Sequence, residues 1–326
     1  MNWFMISDTL KIPLIIDTDM APDDWVAILY MGKRKDIDIK AITISGTGEA
    51  HGSKGAENCL RLLNIINNDD IPVAYGNGQP IKYNHHFPKL MRFAVDKRLF
   101  IKFPKSEYHP LEESAIQLLK NHIEKSKTNI VILALGPLTN LAEFINKFPP
   151  LKEKIEKIYI MGGAVEVEGN ISSVSRKIDN PYAEWNIYCD PHAANIVFES
   201  GIPIVLVPLD ATDQLPVDKA FVKKLKSKDG DEISTLMLKI LKRFGSRVER
   251  EEVPFWDLVA ASVVGRDEIA NIRKTKIHVI ETENEKSGFT KEDNKNGAEI
   301  QYCTSVDKEK YESHFFNTIF ADSKEN

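Results

Sequence analysis

A chain of 326 residues with 42% apolar content is long enough to bury a sizeable core, as one large domain or two ordinary ones. Its 43 basic and 48 acidic residues leave a formal net charge of −5, which argues against a nucleic-acid-binding surface, where a basic excess is the rule. Cys59, Cys189 and Cys303 are too few and too scattered for a disulfide framework or a paired-ligand metal site. No apolar run reaches the roughly 18 residues that a membrane helix needs. Met1 to Lys11 lacks a charged start followed by a long apolar stretch, so no secretory signal is expected, and a reduced, cytoplasmic setting is the simplest reading.

The elements alternate from the start. Pro13–Ile16 is a short apolar run ending at Asp17 and reads as a buried parallel strand. Asp23–Tyr30 has helical spacing, with Trp25, Ile28 and Leu29 on one face. Ile39–Ile44 reads as a strand, Ser53–Asn67 as a helix and Ile71–Ala74 as a strand, the spacing of βαβ units. Tyr75–Pro110 has no clear period, and a long irregular stretch inside a compact domain is often functional. Order returns with a helix over Leu111–Lys125, a strand over Ile130–Leu135 and a helix after Pro137. Lys157–Met161 and Ile202–Val207 are strand-like, Lys219–Arg243 holds one or two helices, and Phe255–Val264 holds another. Ile277–Ile280 and Glu299–Thr304 read as strands, Glu281–Asn296 as an exposed charged turn, and Lys308–Phe320 as a closing helix. No repeat, low-complexity tract or linker breaks the pattern. The expectation is a single α/β domain over 1–326, an open, mostly parallel sheet flanked by helices.

Four carboxylates fall within eight residues in Asp17-Thr18-Asp19-Met20-Ala21-Pro22-Asp23-Asp24, where a parallel strand gives way to a helix. Ligand sites in open α/β sheets lie beyond the carboxyl ends of the strands. Acids crowded there repel one another unless a cation compensates. A hard divalent cation, of the kind that takes many oxygen ligands as calcium does, is the natural occupant, and no His or Cys pair argues for zinc. Two acids at a helix start would be explained by the helix dipole or an N-cap; four straight after a buried strand favour a site.

The spacing Asp-Thr-Asp-x-x-x-Asp-Asp resembles the N-terminal signature of the inosine/uridine-type nucleoside hydrolases. The resemblance implies calcium, bound by Asp19 and Asp24, with Asp23 as the base that activates water and Asp17 supporting the cluster. The chain departs from the family at Met20-Ala21-Pro22, where Pro-Gly and an apolar residue are common. Leu133-Ala134-Leu135-Gly136-Pro137-Leu138-Thr139-Asn140 is similar to a family segment whose residue before Gly gives calcium a backbone carbonyl; here that residue is Leu135. Alone, the segment reads as a structural turn.

Ile160-Met161-Gly162-Gly163-Ala164, Gly169-Asn170 and Ala183-Glu184-Trp185-Asn186 resemble the central family segments. They imply that Asn170, Glu184 and Asn186 hold ribose hydroxyls, while Trp185 reads equally as a core aromatic. Ser172–Pro181 is longer than in many members. Phe255-Trp256-Asp257 supplies the distant calcium ligand Asp257, and Trp256 stands where purine-preferring members have Trp and many pyrimidine-tolerant members have His. The second aromatic of the purine sandwich aligns with Met91, which Phe87 or Phe93 could supplement. Glu49 ends another strand within reach of the ribose, and His85 and His86 read as loop residues that could help to close the site.

The resemblance therefore implies a calcium-dependent hydrolase of the N-glycosidic bond of ribonucleosides, purine-preferring and closest to the Trp-Asp members, with a Rossmann-like fold and a homodimer or homotetramer as its assembly. No nucleic-acid or membrane partner is expected. Two other classes stay open. A haloacid-dehalogenase-type phosphatase also begins with a strand and Asp-x-Asp, but it prefers Thr or Val where Ala21 stands and leaves Asp23-Asp24 unexplained. A non-catalytic nucleoside-binding protein with a relic site would keep the same residues without turnover.

Overall fold

The computed structural model describes residues 11–321 except 176 and 229. The N-terminal stretch read as lacking a secretory signal lies, up to residue 10, outside the described residues. Among the described residues nine strands form one sheet: β1 (Ile12–Thr18), β2 (Ile37–Ile44), β3 (Val73–Tyr75), β4 (Ile130–Ala134), β5 (Ile155–Met161), β6 (Ile204–Val207), β7 (Ala270–Val279), β8 (Thr290–Glu292) and β9 (Ala298–Val306). Their order is β3-β2-β1-β4-β5-β6-β9-β7-β8. The first six strands and β9 run parallel, while β7 and β8 are antiparallel to their neighbours. The expected open, mostly parallel sheet is present.

Strand β1 shows why this sheet is parallel and internal. Leu14 and Ile16 enter the core on one face and Ile15 enters the core on the other. With both faces covered by helices, the strand reads as a continuous apolar run rather than an alternating one. The helices Pro22–Lys33, Gly52–Leu63, Glu232–Phe244, Trp256–Val263 and Lys308–Ile319 cover the first face. The helices Ala115–Lys125, Thr139–Lys147 and Pro191–Phe198 cover the second.

The chain leaves β1 for β2 on one side and later returns to place β4 on the other. This is a topological switch point, where the loops after adjacent strands part and leave a crevice. Three backbone bonds stitch its walls: Ser45 N–H to Thr18 O at 2.7 Å, Leu135 N–H to Asp17 O at 2.8 Å, and Ala50 N–H to Asp19 O at 3.0 Å.

The structure corrects several sequence expectations. Strand β7 starts at Ala270, not Ile277, because its first half pairs with β9 while staying largely solvent-accessible, so no apolar run marks it. Within Glu281–Asn296, read as an exposed turn, Ser287 and Thr290 are buried and Thr290–Glu292 forms β8. Tyr75–Pro110 contains a helix, Lys89–Asp96, followed by a left-handed turn with φ of 55°, 50° and 59° at Arg98, Leu99 and Phe100. The helix Pro191–Phe198 was not anticipated, although Asp190-Pro191 is an N-cap followed by proline at the first helical position, a usable signal.

Asp190 does more than cap that helix. Its carboxylate accepts N–H bonds from Ala193 at 3.1 Å and Ile81 at 2.9 Å, and the Thr139 hydroxyl at 2.9 Å. It thereby ties the loop after β3, the helix after β4 and the Pro191–Phe198 helix together. Asp190→Ala should lower the unfolding free energy by about 2–3 kcal/mol, from about 1 for the lost cap and the rest from stranded donors. A urea melt shifted by less than about 0.5 kcal/mol would contradict this tie.

Candidate active site

The acidic cluster begins where β1 ends. Asp17 is fully buried, and its Oδ1 accepts the Thr43 hydroxyl at 2.5 Å and the Asn140 amide at 2.7 Å. The turn needed after Asp19 is made without glycine. Met20 takes the left-handed conformation at φ 62°, while Ala21 is extended. A left-handed non-glycine residue costs about 1–2 kcal/mol. The Trp25 indole N–H, which donates to Met20 O at 2.8 Å, and the Met20 N–H, which donates to the Thr18 hydroxyl at 3.0 Å, hold it there.

From this turn the cluster fans into one cavity of ≈ 240 Å³. Asp19, Asp23 and Asp24 come from β1 and the first helix, Glu49 from the loop after β2, and Leu135 from the end of β4. Asn170, Glu184 and Asn186 come from the segments after β5, Asp257 and Trp256 from the start of a later helix, and Met91 from the Lys89–Asp96 helix. Every site residue expected from the sequence lines this cavity except Asp17, which lies behind it. Two tight glycines shape the wall: a Cβ on Gly48 would stand 2.1 Å from Asp19 Cβ, and one on Gly136 would stand 2.8 Å from Asp19 Cβ and 2.9 Å from Asp19 N.

The carboxylates are buried and under-bonded. Asp19 accepts N–H bonds from Glu49 at 2.9 Å and Ala21 at 3.3 Å. The Thr18 hydroxyl donates to Asp24 Oδ1. Asp24 Oδ2, Asp257 Oδ1 and Glu49 Oε2 are buried without any hydrogen-bond partner. One oxygen each of Asp23, Asp24 and Asp257 lies within 4.8 Å of the others. Burial first, and then repulsion from neighbouring acids, pushes Asp24, Asp257 and Glu49 well above the ordinary carboxylate range. Burial likewise raises Asp23 to about 6 and Asp17 to about 7. Orphaned buried oxygens with converging charge are the donor set of a hard divalent cation, so these residues fit calcium or a similar ion. Asp24 and Asp257 have the free oxygens to hold it.

Glu184, Asn170 and Asn186 line the same cavity. Glu184 caps the Trp185–Cys189 helix, accepting from Asn186 N at 2.8 Å and Ile187 N at 3.2 Å, and it also accepts the Gly163 N–H at 3.0 Å. Gly163 sits at φ 86°, a conformation that suits glycine. Burial raises Glu184 to about 7. Asn170 Oδ1 accepts the Trp185 N–H at 3.1 Å, so the long Ser172–Pro181 excursion returns to set Asn170 beside Glu184. The Asn186 amide donates to Leu135 O at 3.1 Å and Met161 O at 3.2 Å, which fixes the carbonyl expected to face the cation.

The apolar rim departs from expectation in detail. Phe87 is buried and stacks on Trp185 with ring centroids 4.5 Å apart, beside Met91, whereas Phe93 is half-exposed outside the cavity lining. Trp185 thus serves both as a packed aromatic and as cavity wall. His85 stacks on Tyr188 at 4.2 Å and lies with His86 outside the lining. No motif pointed to Asp213, whose carboxylate accepts the Trp256 indole N–H at 2.7 Å and fixes that ring. Arg243, Phe244 and Arg247 also line the cavity and carry no motif that could have flagged them.

Residues 14–313 match the family model described as inosine-uridine preferring nucleoside hydrolase. The pyrimidine-specific ribonucleoside hydrolase RihA of Salmonella enteritidis is 32% identical over 274 residues, 82% of this chain and 81% of that protein. The fold is similar to a plant nucleoside hydrolase, with TM-score 0.82, 25% identity and coverage of 95% of this chain and 99% of that one. It is also similar to an inosine-guanosine nucleoside hydrolase, with TM-score 0.81, 26% identity and coverage of 94% and 98%. These matches leave the phosphatase reading without support.

Two outcomes test the site. A carboxyl whose folded pKa is raised stabilises the fold fully at low pH and loses that contribution as pH climbs through the folded value. For Asp17, Asp23 and Glu184 the loss runs from the ordinary carboxylate range up to about 7. In chelator, the Tm should therefore fall between about pH 4 and pH 7, and added calcium should raise it more at the upper pH; a pH-independent calcium effect would contradict this. Separately, Gly136→Ala should displace Asp19 and cut kcat/KM about a hundredfold with a much smaller stability change; unchanged turnover would show that the site tolerates the shift. The sheet, the carboxylate cavity and the whole-chain match agree: this protein belongs to the inosine-uridine preferring nucleoside hydrolase family, hydrolases of the N-glycosidic bond of ribonucleosides.

Proposed function

We propose that this chain, acting as one domain, hydrolyses ribonucleosides to free base and ribose with the help of one calcium ion, and that it prefers purines. The observation that carries the reading is the set of unpartnered buried oxygens on Asp24, Asp257 and Glu49, which share one cavity with Asn170, Glu184 and Asn186. Asp24, Asp257 and the Leu135 carbonyl would hold the ion. When bound, it would lower the pKa of a water and anchor the ribose diol. A neighbouring carboxylate takes the proton from that water. The oxygen then attacks C1′ as the base departs, and the surrounding acids stabilise the positive charge that builds on the sugar. Asn170, Glu184 and Asn186 orient the hydroxyls, and Glu49 reaches the same sugar from the other side. A homodimer or homotetramer, as in the resemblance, completes the proposal.

Asp19 and Asp23 divide the remaining roles. Motif position makes Asp19 a ligand and Asp23 the base. The close grouping of Asp23 with Asp24 and Asp257 favours a second reading, in which Asp23 joins the ligands and Asp19, held by two backbone N–H groups, takes the proton. Exchange of the base for Asn should cut kcat by about 10²–10⁴ while sparing calcium affinity. Exchange of the ligand should weaken calcium affinity about tenfold or more. Asp23→Asn and Asp19→Asn, each measured both ways, separate the two assignments.

The proposed purine preference is supported by Trp256, whose ring Asp213 fixes, and by Met91 and Phe87, which line the same cavity, since base stacking is worth about 1–3 kcal/mol. The pyrimidine-specific name of the Salmonella relative makes the contrary outcome concrete. The deciding experiment is a reducing-sugar assay with inosine, guanosine, adenosine, uridine and cytidine, with and without chelator. Ribose release that needs the metal and favours purines is expected. Faster pyrimidine turnover would overturn the preference, and riboside binding without hydrolysis would mean a relic site.

A further inference from the structure

Arg92 is a buried cation that the proposed chemistry leaves unused. It lies in the Lys89–Asp96 helix, whose Met91, Ala94 and Val95 line the cavity, yet it stands outside that lining itself. Its Nη2 donates to Gly46 O at 2.7 Å and to Ala50 O at 3.0 Å. Its Nε is buried with no hydrogen-bond partner among the described residues. Burying a polar group with an unmet donor costs free energy. A neutral donor could hold one carbonyl at lower cost, whereas a guanidinium nitrogen holds two and keeps its charge at any working pH.

The two carbonyls bracket Glu49 in the loop after β2. The N–H groups of that loop go to Asp19 instead. Glu49 N–H donates to Asp19 Oδ2 at 2.9 Å, and Ala50 N–H donates to Asp19 O at 3.0 Å. The loop is therefore held between Asp19, which takes its donors, and Arg92, which fills its acceptors. Two glycines leave it little slack: a Cβ on Gly46 would stand 2.8 Å from Asn77 O, and one on Gly48 2.1 Å from Asp19 Cβ. Glu49 lines the cavity with its Oε2 buried and unpartnered, so the backbone is what aims that oxygen. The helix itself has a second anchor. The Asp96 carboxylate accepts the His51 N–H at 2.9 Å and lies 2.7 Å from the His51 ring Nδ1, and Asp96 O accepts the Asn58 amide at 3.0 Å. Loss of Arg92 would leave the helix docked and free the loop.

Resting on the hydrolase reading above, in which Glu49 reaches the ribose, we propose that Arg92 is a positioning residue for the sugar: by filling the Gly46 and Ala50 carbonyls it sets Glu49 against the ribose hydroxyls. Its effect passes through Glu49 and is the same whichever base departs. It falls more on kcat than on KM, because hydrogen bonds to sugar hydroxyls strengthen as charge builds at the reacting carbon.

The test is a double-mutant cycle of Arg92→Met and Glu49→Gln, with calcium present and folding checked by melting. Turnover is read on inosine and uridine, and ribose affinity is read from product inhibition. In the Glu49 background, Arg92→Met should lower kcat/KM about tenfold or more, alike on both nucleosides, and weaken ribose in parallel. In the Glu49→Gln background it should cost less than about twofold. Arg92→Lys, which keeps the charge and enough donors for both carbonyls, should recover most of the loss. Equal cost in both backgrounds would overturn the inference, since Arg92 would then act elsewhere. So would a loss confined to one base with ribose affinity unchanged, which would place its action on the base wall. Where Glu49→Gln leaves too little turnover, direct ribose binding closes the same cycle. If Arg92→Met does not fold, Arg92→Lys takes its place in the cycle; if neither folds, the residue is a strut and the inference fails. Wild-type turnover with an additive cycle sinks this inference alone, whereas a wild type that hydrolyses no nucleoside sinks the hydrolase reading and this inference with it.

Discussion

The structure depends on the mutual repulsion of carboxylates held at a topological switch point. Asp19, Asp24, Asp257 and Glu49, all buried, and the partly buried Asp23 line one cavity at the carboxyl ends of the central strands. Burial alone would drive such groups to the neutral form, and proximity adds to the effect. A chain that gathers them gives up stability, which makes sense where a cation restores it and the chemistry needs charge near the sugar. The pyrophosphate crevice of dinucleotide-binding sheets uses the same place in the fold for an anion; here the side chains invert its electrostatics.

Much of the remaining architecture keeps those acids in place. The backbone bonds from Ser45, Leu135 and Ala50 to the segment Asp17–Asp19 lock the loop after β1 against those after β2 and β4. Gly48 and Gly136 leave room only for Asp19 as it stands. Asn186 binds the Leu135 carbonyl, and Glu184 spends its carboxylate on three N–H groups. Positioning of this kind is inexpensive in a rigid sheet and costly in a loop, which is why the acids follow strands while the apolar rim comes from helices and turns.

The sheet and the acids after β1 were legible in the sequence for the same physical reason. A buried parallel strand is a continuous apolar run, and acids at its end have no bland explanation when four occur together. Asp257, Leu135, Asn170, Glu184, Asn186, Trp256 and Met91 were reachable only through resemblance, since neither a lone polar or aromatic side chain nor a carbonyl carries a signal of its own. Strand β7 escaped because an edge-side antiparallel strand with one wet face lacks the apolar run. The Asp190 tie, the Asp213–Trp256 bond and the placement of Arg243 and Arg247 were illegible, because each depends on which distant segments meet. Met20 in place of glycine was visible as a departure, but its left-handed backbone is known only from the fold.

The most direct measurement is calorimetric titration of calcium into metal-free protein near neutral pH, repeated in buffers of different ionisation heat. A cluster of acids raised by burial should bind one ion per chain and release protons on doing so, and Asp24→Asn or Asp257→Asn should abolish both. Calcium binding without proton release, or binding that survives both exchanges, would contradict the claim that the carboxylates at the switch point are the ion's ligands.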